Sequence, residues 1–141
     1  MIIVDDGSDD GSSEFAQKFA SENKNFKVIT GSHSGKAGAV IKGMLSSHGE
    51  IRLFTDMDQA TPIEETEKLL PFFQEGYDVV IGSRDVHRKG SPLSRRVMSR
   101  SMIVLRKIMV GIYEIHDTQC GFKMFKDDAA EKLFKKISEF H

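Results

Sequence analysis

Short runs rich in β-branched and aromatic residues alternate along the chain with segments whose apolar positions recur every three or four residues. Ile2-Ile3-Val4 is the first such run. It stops at Asp5-Asp6-Gly7-Ser8, which predicts a buried strand entering a loop. Residues 13–23 carry Phe15, Ala16, Phe19 and Ala20 at helical spacing. Phe26, Val28 and Ile29 predict a second strand, closed by Thr30-Gly31-Ser32. After a glycine-rich loop, Ala39, Val40, Gly43 and Met44 mark the inner face of a helix that ends by Gly49. Ile51, Leu53 and Phe54 predict a third strand running into Asp56-Met57-Asp58. Thr61-Pro62-Ile63-Glu64 has the form of a helix start, with Thr61 as N-cap, Pro62 in the first turn and Glu64 closing a capping box. Tyr77 to Ile81 is a fourth strand, ended by Gly82-Ser83-Arg84.

Strands alternating with helices imply an α/β domain with a mostly parallel sheet and helices on both faces. In such sheets ligands bind beyond the carboxyl ends of the strands, where each charged loop of this chain falls. The 141 residues fit one domain, 1–141, with no repeat or linker to divide it. Apolar and charged fractions of 39% and 29% are ordinary for a globular protein, and the net charge of −1 excludes no class of partner. The single cysteine, Cys120, cannot form an internal disulfide and reads as a small buried apolar residue. No run approaches the ~20 apolar residues of a membrane span, and the first residues do not form a signal peptide. Because the chain opens directly on a strand, a missing neighbour would leave a sheet edge that a second copy could cover, so a homodimer is one expectation.

The loops hold the candidate chemistry. Asp6, Ser8, Asp10 and Gly11 match the start of an EF-hand loop, but Gln17 stands where the bidentate glutamate belongs and a strand precedes the loop. That leaves an acidic helix-capping turn or a carboxylate that accepts hydrogen bonds from a nucleobase. Gly31-Ser32-His33-Ser34-Gly35-Lys36 is not a P-loop, since only three residues separate its glycines and Ala37 replaces the magnesium-holding Ser or Thr. Lys36 beside glycines at a helix start can still meet a diphosphate, together with backbone amides. His33 reads as a surface loop residue. Asp56-Met57-Asp58 is the sharpest signal: along an extended chain two acids one residue apart point the same way. There they could hold one Mg²⁺ or Mn²⁺ against a diphosphate, with oxygen donors suited to either ion.

From Arg84 to Tyr113 the composition shifts, with Arg84, Arg88, Lys89, Arg95, Arg96, Arg100, Arg106 and Lys107 against the single acid Asp85. On a helix of 100° per residue, residues 93–113 gather Leu93, Val97, Met98, Met102, Val104, Leu105, Ile108, Met109 and Ile112 on one half and the cations on the other, where Ile103 and Val110 intrude. A basic amphipathic helix of this kind either lies on an anionic membrane surface or packs its apolar half on the sheet. No nucleic-acid motif accompanies the charge.

Taken together, Val4-Asp5-Asp6-Gly7-Ser8, Gly35-Lys36-Ala37-Gly38-Ala39-Val40, Asp56-Met57-Asp58, Thr61-Pro62-Ile63-Glu64-Glu65, Gly82-Ser83-Arg84 and Asp117-Thr118-Gln119-Cys120-Gly121-Phe122-Lys123 resemble glycosyltransferase family 2, which has the GT-A (Rossmann-like) fold. The last segment is the most specific, and it is similar to the dolichyl-phosphate β-glucosyltransferase branch and its bacterial polyprenyl-phosphate relatives. The resemblance implies inverting transfer of a hexose, glucose first, from a UDP-sugar to dolichyl or undecaprenyl phosphate at the cytoplasmic face of a membrane. It further implies that Asp6, with Asp5, meets the nucleotide base, that Ser8, Lys36 and Asp56 lie at the nucleotide-sugar donor, and that Asp56 and Asp58 hold Mg²⁺ or Mn²⁺. Arg84 and a basic residue such as Arg96 would meet the acceptor phosphate, Asp117 would lie in the acceptor loop, and Arg84 and Asp117 are the catalytic candidates. Related mannosyltransferases carry a glutamine two residues after the second metal-motif acid; here Ala60 stands there, with Gln59 one earlier, so a third metal ligand is left open. Family members begin with a further strand and continue past the Asp117–Lys123 segment, so the domain is expected to be truncated at both ends. Other donors, such as UDP-GlcNAc or GDP-mannose, and a non-catalytic nucleotide-binding module remain alternatives.

Overall fold

The computed structural model describes residues 1–58, 60–83 and 120–140. Arg84, Arg96, Asp117 and the basic segment 93–113 lie outside these residues. Strand β1 (Ile2–Asp5) leads to helix α1 (Ser12–Glu22), β2 (Lys27–Thr30), α2 (Gly35–Ser46) and β3 (Ile51–Thr55). A 3-10 turn (Ile63–Glu65) then opens into α3 (Thr66–Gln74), followed by β4 (Val79–Ile81), β5 (Phe122–Lys126) and α4 (Asp127–Ser138). The α/β alternation expected from the apolar pattern is present.

The strands form two sheets. β1 and β2 are parallel, with Ile2 opposite Lys27 and Asp5 opposite Thr30. In the second sheet β5 lies between β3 and β4 and runs antiparallel to both, so the same-direction strands β3 and β4 are bridged by a returning one. Side-chain alternation marks a strand but carries no information on its direction, which is why periodicity alone did not reveal this insertion. β5 is the most covered strand, with Phe122, Met124 and Phe125 all buried. Between β1 and β3, which are not paired, runs a groove of about 570 Å³ floored by Ala39, Val40 and Gly43 of α2.

The core sits where α2 and α4 meet over the second sheet. Ile41 and Met44 of α2, Phe125 of β5 and Ala130 and Phe134 of α4 are buried together, flanked by half-buried Val40, Leu45 and Phe54. Phe125 and Phe134 meet edge to face at 5.4 Å, a geometry that adds to their area burial.

Two local expectations change. Pro62 has ψ 146°, so it stands outside the helix and Thr61 is one residue too early to cap it; no side-chain cap bond forms, and the chain enters through the 3-10 turn instead. On α1 the aromatic at helical spacing does not face inward: Phe15 is 72% exposed, while Phe19 rests edge-on against Phe26 at 4.9 Å. α1 buries none of its residues completely; half-buried Ala16 and Ala20 lie on its covered side, and the Ser13 hydroxyl meets Asp5 of β1.

The least expected interior residue is Arg52, placed by sequence among the apolar positions of β3 yet only 8% exposed. Its Nη1 donates to the Met44 carbonyl at 2.8 Å, in the last turn of α2, where the Ser47 amide and hydroxyl donate to the same oxygen. Its Nε donates to Asp127 at 2.8 Å, and Nη2 pairs with the same carboxylate at the first residue of α4. A cation at one helix's C-terminus and an acid at another's N-terminus both suit the helix dipoles. Replacing Arg52 with Met is expected to lower the unfolding free energy by about 2 kcal/mol, the scale for hydrogen bonds to a charged group. Urea denaturation checks it; wild-type stability in that variant would mean that packing alone joins α2 to α4.

Candidate active site

The charged loops at the carboxyl ends of β1 and β3 converge on the N-terminus of α2. In the first loop Asp5 is buried and turns back on its own segment. Its carboxylate accepts the Ser8 hydroxyl at 2.5 Å and the Gly7 and Ser8 amides at 3.3 Å. The Ser8 hydroxyl, opposed by burial and aided by the Ser8 amide, the Ser13 hydroxyl and the Gly7 amide, holds the Asp5 carboxyl below its ordinary value. Asp5 and Ser8 therefore build the loop.

Asp6 points the other way. It accepts the Ser34 amide at 3.0 Å, the Ser34 hydroxyl at 3.2 Å and the Gly35 amide at 2.5 Å. Burial is the largest influence on its carboxyl and acts to raise the pKa. The Ser34 and Gly35 amides, the Ser34 hydroxyl and the positive field of His33 outweigh it, and the net shift is downward. The amides expected to meet a diphosphate at the start of α2 thus already hold an anion, the chain's own Asp6. His33, at φ 57°, donates its amide to the Asp6 carbonyl and lays its ring against Gly7.

Lys36 spans from α2 to β3, where its Nζ lies 2.8 Å from Oδ1 and 3.0 Å from Oδ2 of Asp56. It also sits 6.0 Å from the centre of the Phe54 ring, and Lys123 Nζ lies 5.9 Å from the same ring. Lys123 Nζ in addition donates to the Cys120 carbonyl. The Asp56 amide donates to the Gly121 carbonyl at 3.1 Å, continuing the β3–β5 pairing into the loops. β3 ends at Thr55, so strand alternation does not run through Asp58; its carboxylate accepts the Ala60 amide at 3.0 Å and closes the turn. Cys120 is 1% exposed, in keeping with its reading as a buried apolar residue.

The structure therefore brings Asp6, Lys36 and Asp56 into one chain of contacts around the start of α2, with Asp58 on the adjoining turn. Sequence reasoning missed Gly121, Lys123 and Phe54 as site residues. The segment 120–123 was visible as a motif, but nothing in its spacing says that it abuts Asp56; that contact depends on β5 pairing with β3. Among the described residues no group of three or more His, Cys, Asp or Glu side chains could hold a metal. Asp56 and Asp58 each offer carboxylate oxygens, the donor type magnesium takes alongside water and phosphate oxygens.

The family model for glycosyl transferase family 2 matches residues 1–134. The chain belongs to this family. Curated relatives are similar to it over nearly its full length. A Trichomonas vaginalis protein named dolichyl-phosphate beta-glucosyltransferase ALG5C is 35% identical over 95% of the chain and 42% of its own length. The dolichyl-phosphate beta-glucosyltransferases of Saccharomyces cerevisiae and Homo sapiens are each 33% identical, over 95% and 97% of the chain respectively and 46% of their own length. The chain thus spans less than half the length of these relatives.

Because the folded Asp5 carboxyl is held below its ordinary value of 3.8, its contribution is complete above that pH and is lost as pH falls through the lower, folded value. The stability difference between wild type and Asp5→Asn is therefore expected to be constant from pH 5 to 7 and to shrink below about 3.8. Urea midpoints across that range test this, and a difference that grows on acidification contradicts it.

Proposed function

We propose that the chain is the donor-binding part of an inverting glycosyltransferase that moves glucose from UDP-glucose to a polyprenyl phosphate, dolichyl or undecaprenyl. The observation that carries the reading is the meeting of Asp6, Lys36 and Asp56 at the carboxyl ends of β1 and β3. It does so in a family whose relatives here are named for dolichyl-phosphate glucosylation. In the reaction a phosphate oxygen of the lipid attacks the anomeric carbon, a new carbon–oxygen bond forms, and the bond to the diphosphate breaks with inversion. The nucleophile is anionic near neutral pH, so no strong general base is required.

The protein's tasks are then alignment and charge stabilisation. Asp6 accepts from the base edge, exchanging part of its bonding to the α2 amides, and so frees those amides for the donor. Lys36 neutralises the departing diphosphate. Asp56 and Asp58 would hold Mg²⁺ or Mn²⁺, which when bound would supply further positive charge at the diphosphate. Arg84 and Arg96 meet the acceptor phosphate, and Asp117 belongs to the acceptor loop. No described helix is long and apolar enough to cross a membrane. In this reading the basic segment 84–113 brings the protein to the cytoplasmic face of an anionic membrane, and two copies pair at a sheet edge.

Calorimetric titration of UDP-glucose is expected to show binding with Mn²⁺ that EDTA abolishes, and Asp58→Ala should remove that dependence while the fold is retained. Consumption of UDP-glucose should then require polyprenyl phosphate. A folded protein that ignores UDP-glucose in both conditions sinks the reading. Replacing Arg95, Arg96 and Arg100 together is expected to weaken association with anionic liposomes at low salt, as sedimentation would show. Wild-type protein that never sediments with such liposomes removes the membrane role.

A further inference from the structure

We infer that Gly121 is a positioning residue whose bare Cα provides the seat for the Asp56 carboxylate. A Cβ at Gly121 would lie 1.9 Å from Asp56 Oδ2, 2.4 Å from Cγ and 3.0 Å from Oδ1, so the carboxylate occupies the space that any other residue's side chain would need. Backbone freedom does not explain this glycine, since it is absent from the positions with positive φ and an alanine could adopt its conformation. What it supplies is room. With the Asp56 amide donating to the Gly121 carbonyl, the same residue fixes both the backbone and the side chain of Asp56.

The carboxylate is thus held from two sides. Gly121 lets it lie flat against the start of β5, and Lys36 reaches it from α2 at 2.8 Å. In this arrangement Lys36 Nζ is the cation that Asp56 carries before any donor arrives. A diphosphate with its divalent ion would meet a carboxylate already aimed and a lysine able to turn to the phosphate oxygens.

Gly31 offers an instructive contrast. A Cβ there would lie 2.4 Å from Asp6 Oδ1, but also 3.0 Å from the Asp6 Cα and 3.3 Å from the Asp5 carbonyl oxygen. The tight contacts at Gly31 include backbone, whereas the three nearest atoms at Gly121 all belong to the Asp56 carboxylate. Gly121→Ala should therefore leave the fold in place and move Asp56.

The metal half of this inference rests on the donor-site reading above, and the test separates the two. Crystal structures of wild type and Gly121→Ala, with thermal melts and titration of Mn²⁺ alone, give three readouts. The expected result is an Asp56 carboxylate turned away from residue 121 with its Lys36 contact broken. Tm should stay within about 4 °C of wild type, and Mn²⁺ affinity should fall by about 10–100-fold, the scale for residues that support a metal ligand. A displaced carboxylate with Mn²⁺ binding unchanged, or undetectable in both proteins, upholds the role of Gly121 and removes Asp56 from the metal. An Asp56 side chain that keeps its place in the variant overturns the inference.

Discussion

The buried guanidinium of Arg52 is the constraint on which the position of the site depends. It stands near the start of β3 and joins the last turn of α2 to the first residue of α4. α2 and β3 run in opposite directions, so the ends that Arg52 holds are those remote from the site. Their other ends carry Lys36 and Asp56, which meet at 2.8 Å. A buried charge left without partners would be costly, so Arg52 admits few relative placements of these elements. Fixing one end of two packed rods fixes the other.

At the site end, the dominant theme is that acids are held by backbone amides and by the absence of side chains. Asp5 is bound by its own loop and Asp6 by the amides at the start of α2. Asp6 and Asp56 each lie over a glycine that no other residue could replace without moving something. The helix N-terminus that an anionic ligand would seek is already filled by Asp6. In the proposed function, donor binding would accordingly proceed by exchange of partners at Asp6 and Lys36.

Much of this was legible along the chain because short-range signals suffice for it. Ile2-Ile3-Val4 before four loop formers, and Ile51 to Phe54 before Asp56, marked strand ends, and strand ends in an α/β protein are where ligands bind. The motifs at those ends, with the Asp117–Lys123 segment, carry the resemblance to glycosyltransferase family 2. The same local reasoning failed where the outcome depends on what lies opposite. Phe15 has helical spacing and faces solvent, because no element covers that side of α1 among the described residues. Thr61 has the right neighbours for a cap and loses the role to the extended ψ of Pro62. β5 and α4, which supply much of the core, drew no expectation, although Phe122, Met124, Ala130 and Phe134 carry the proper periods.

By itself, then, the sequence determined the class of the fold, the loops that hold chemistry and the residue types placed there. Periodicity and turn chemistry act within a few residues, and they need no knowledge of the rest of the chain. Only the tertiary structure decided that β5 runs back between β3 and β4, that Arg52 is interior, and that Gly121 makes room for Asp56. Each of these joins residues distant in the chain: 75 positions separate Arg52 from Asp127. Such contacts are set by which faces remain to be covered once the local elements exist, and that choice is made in three dimensions.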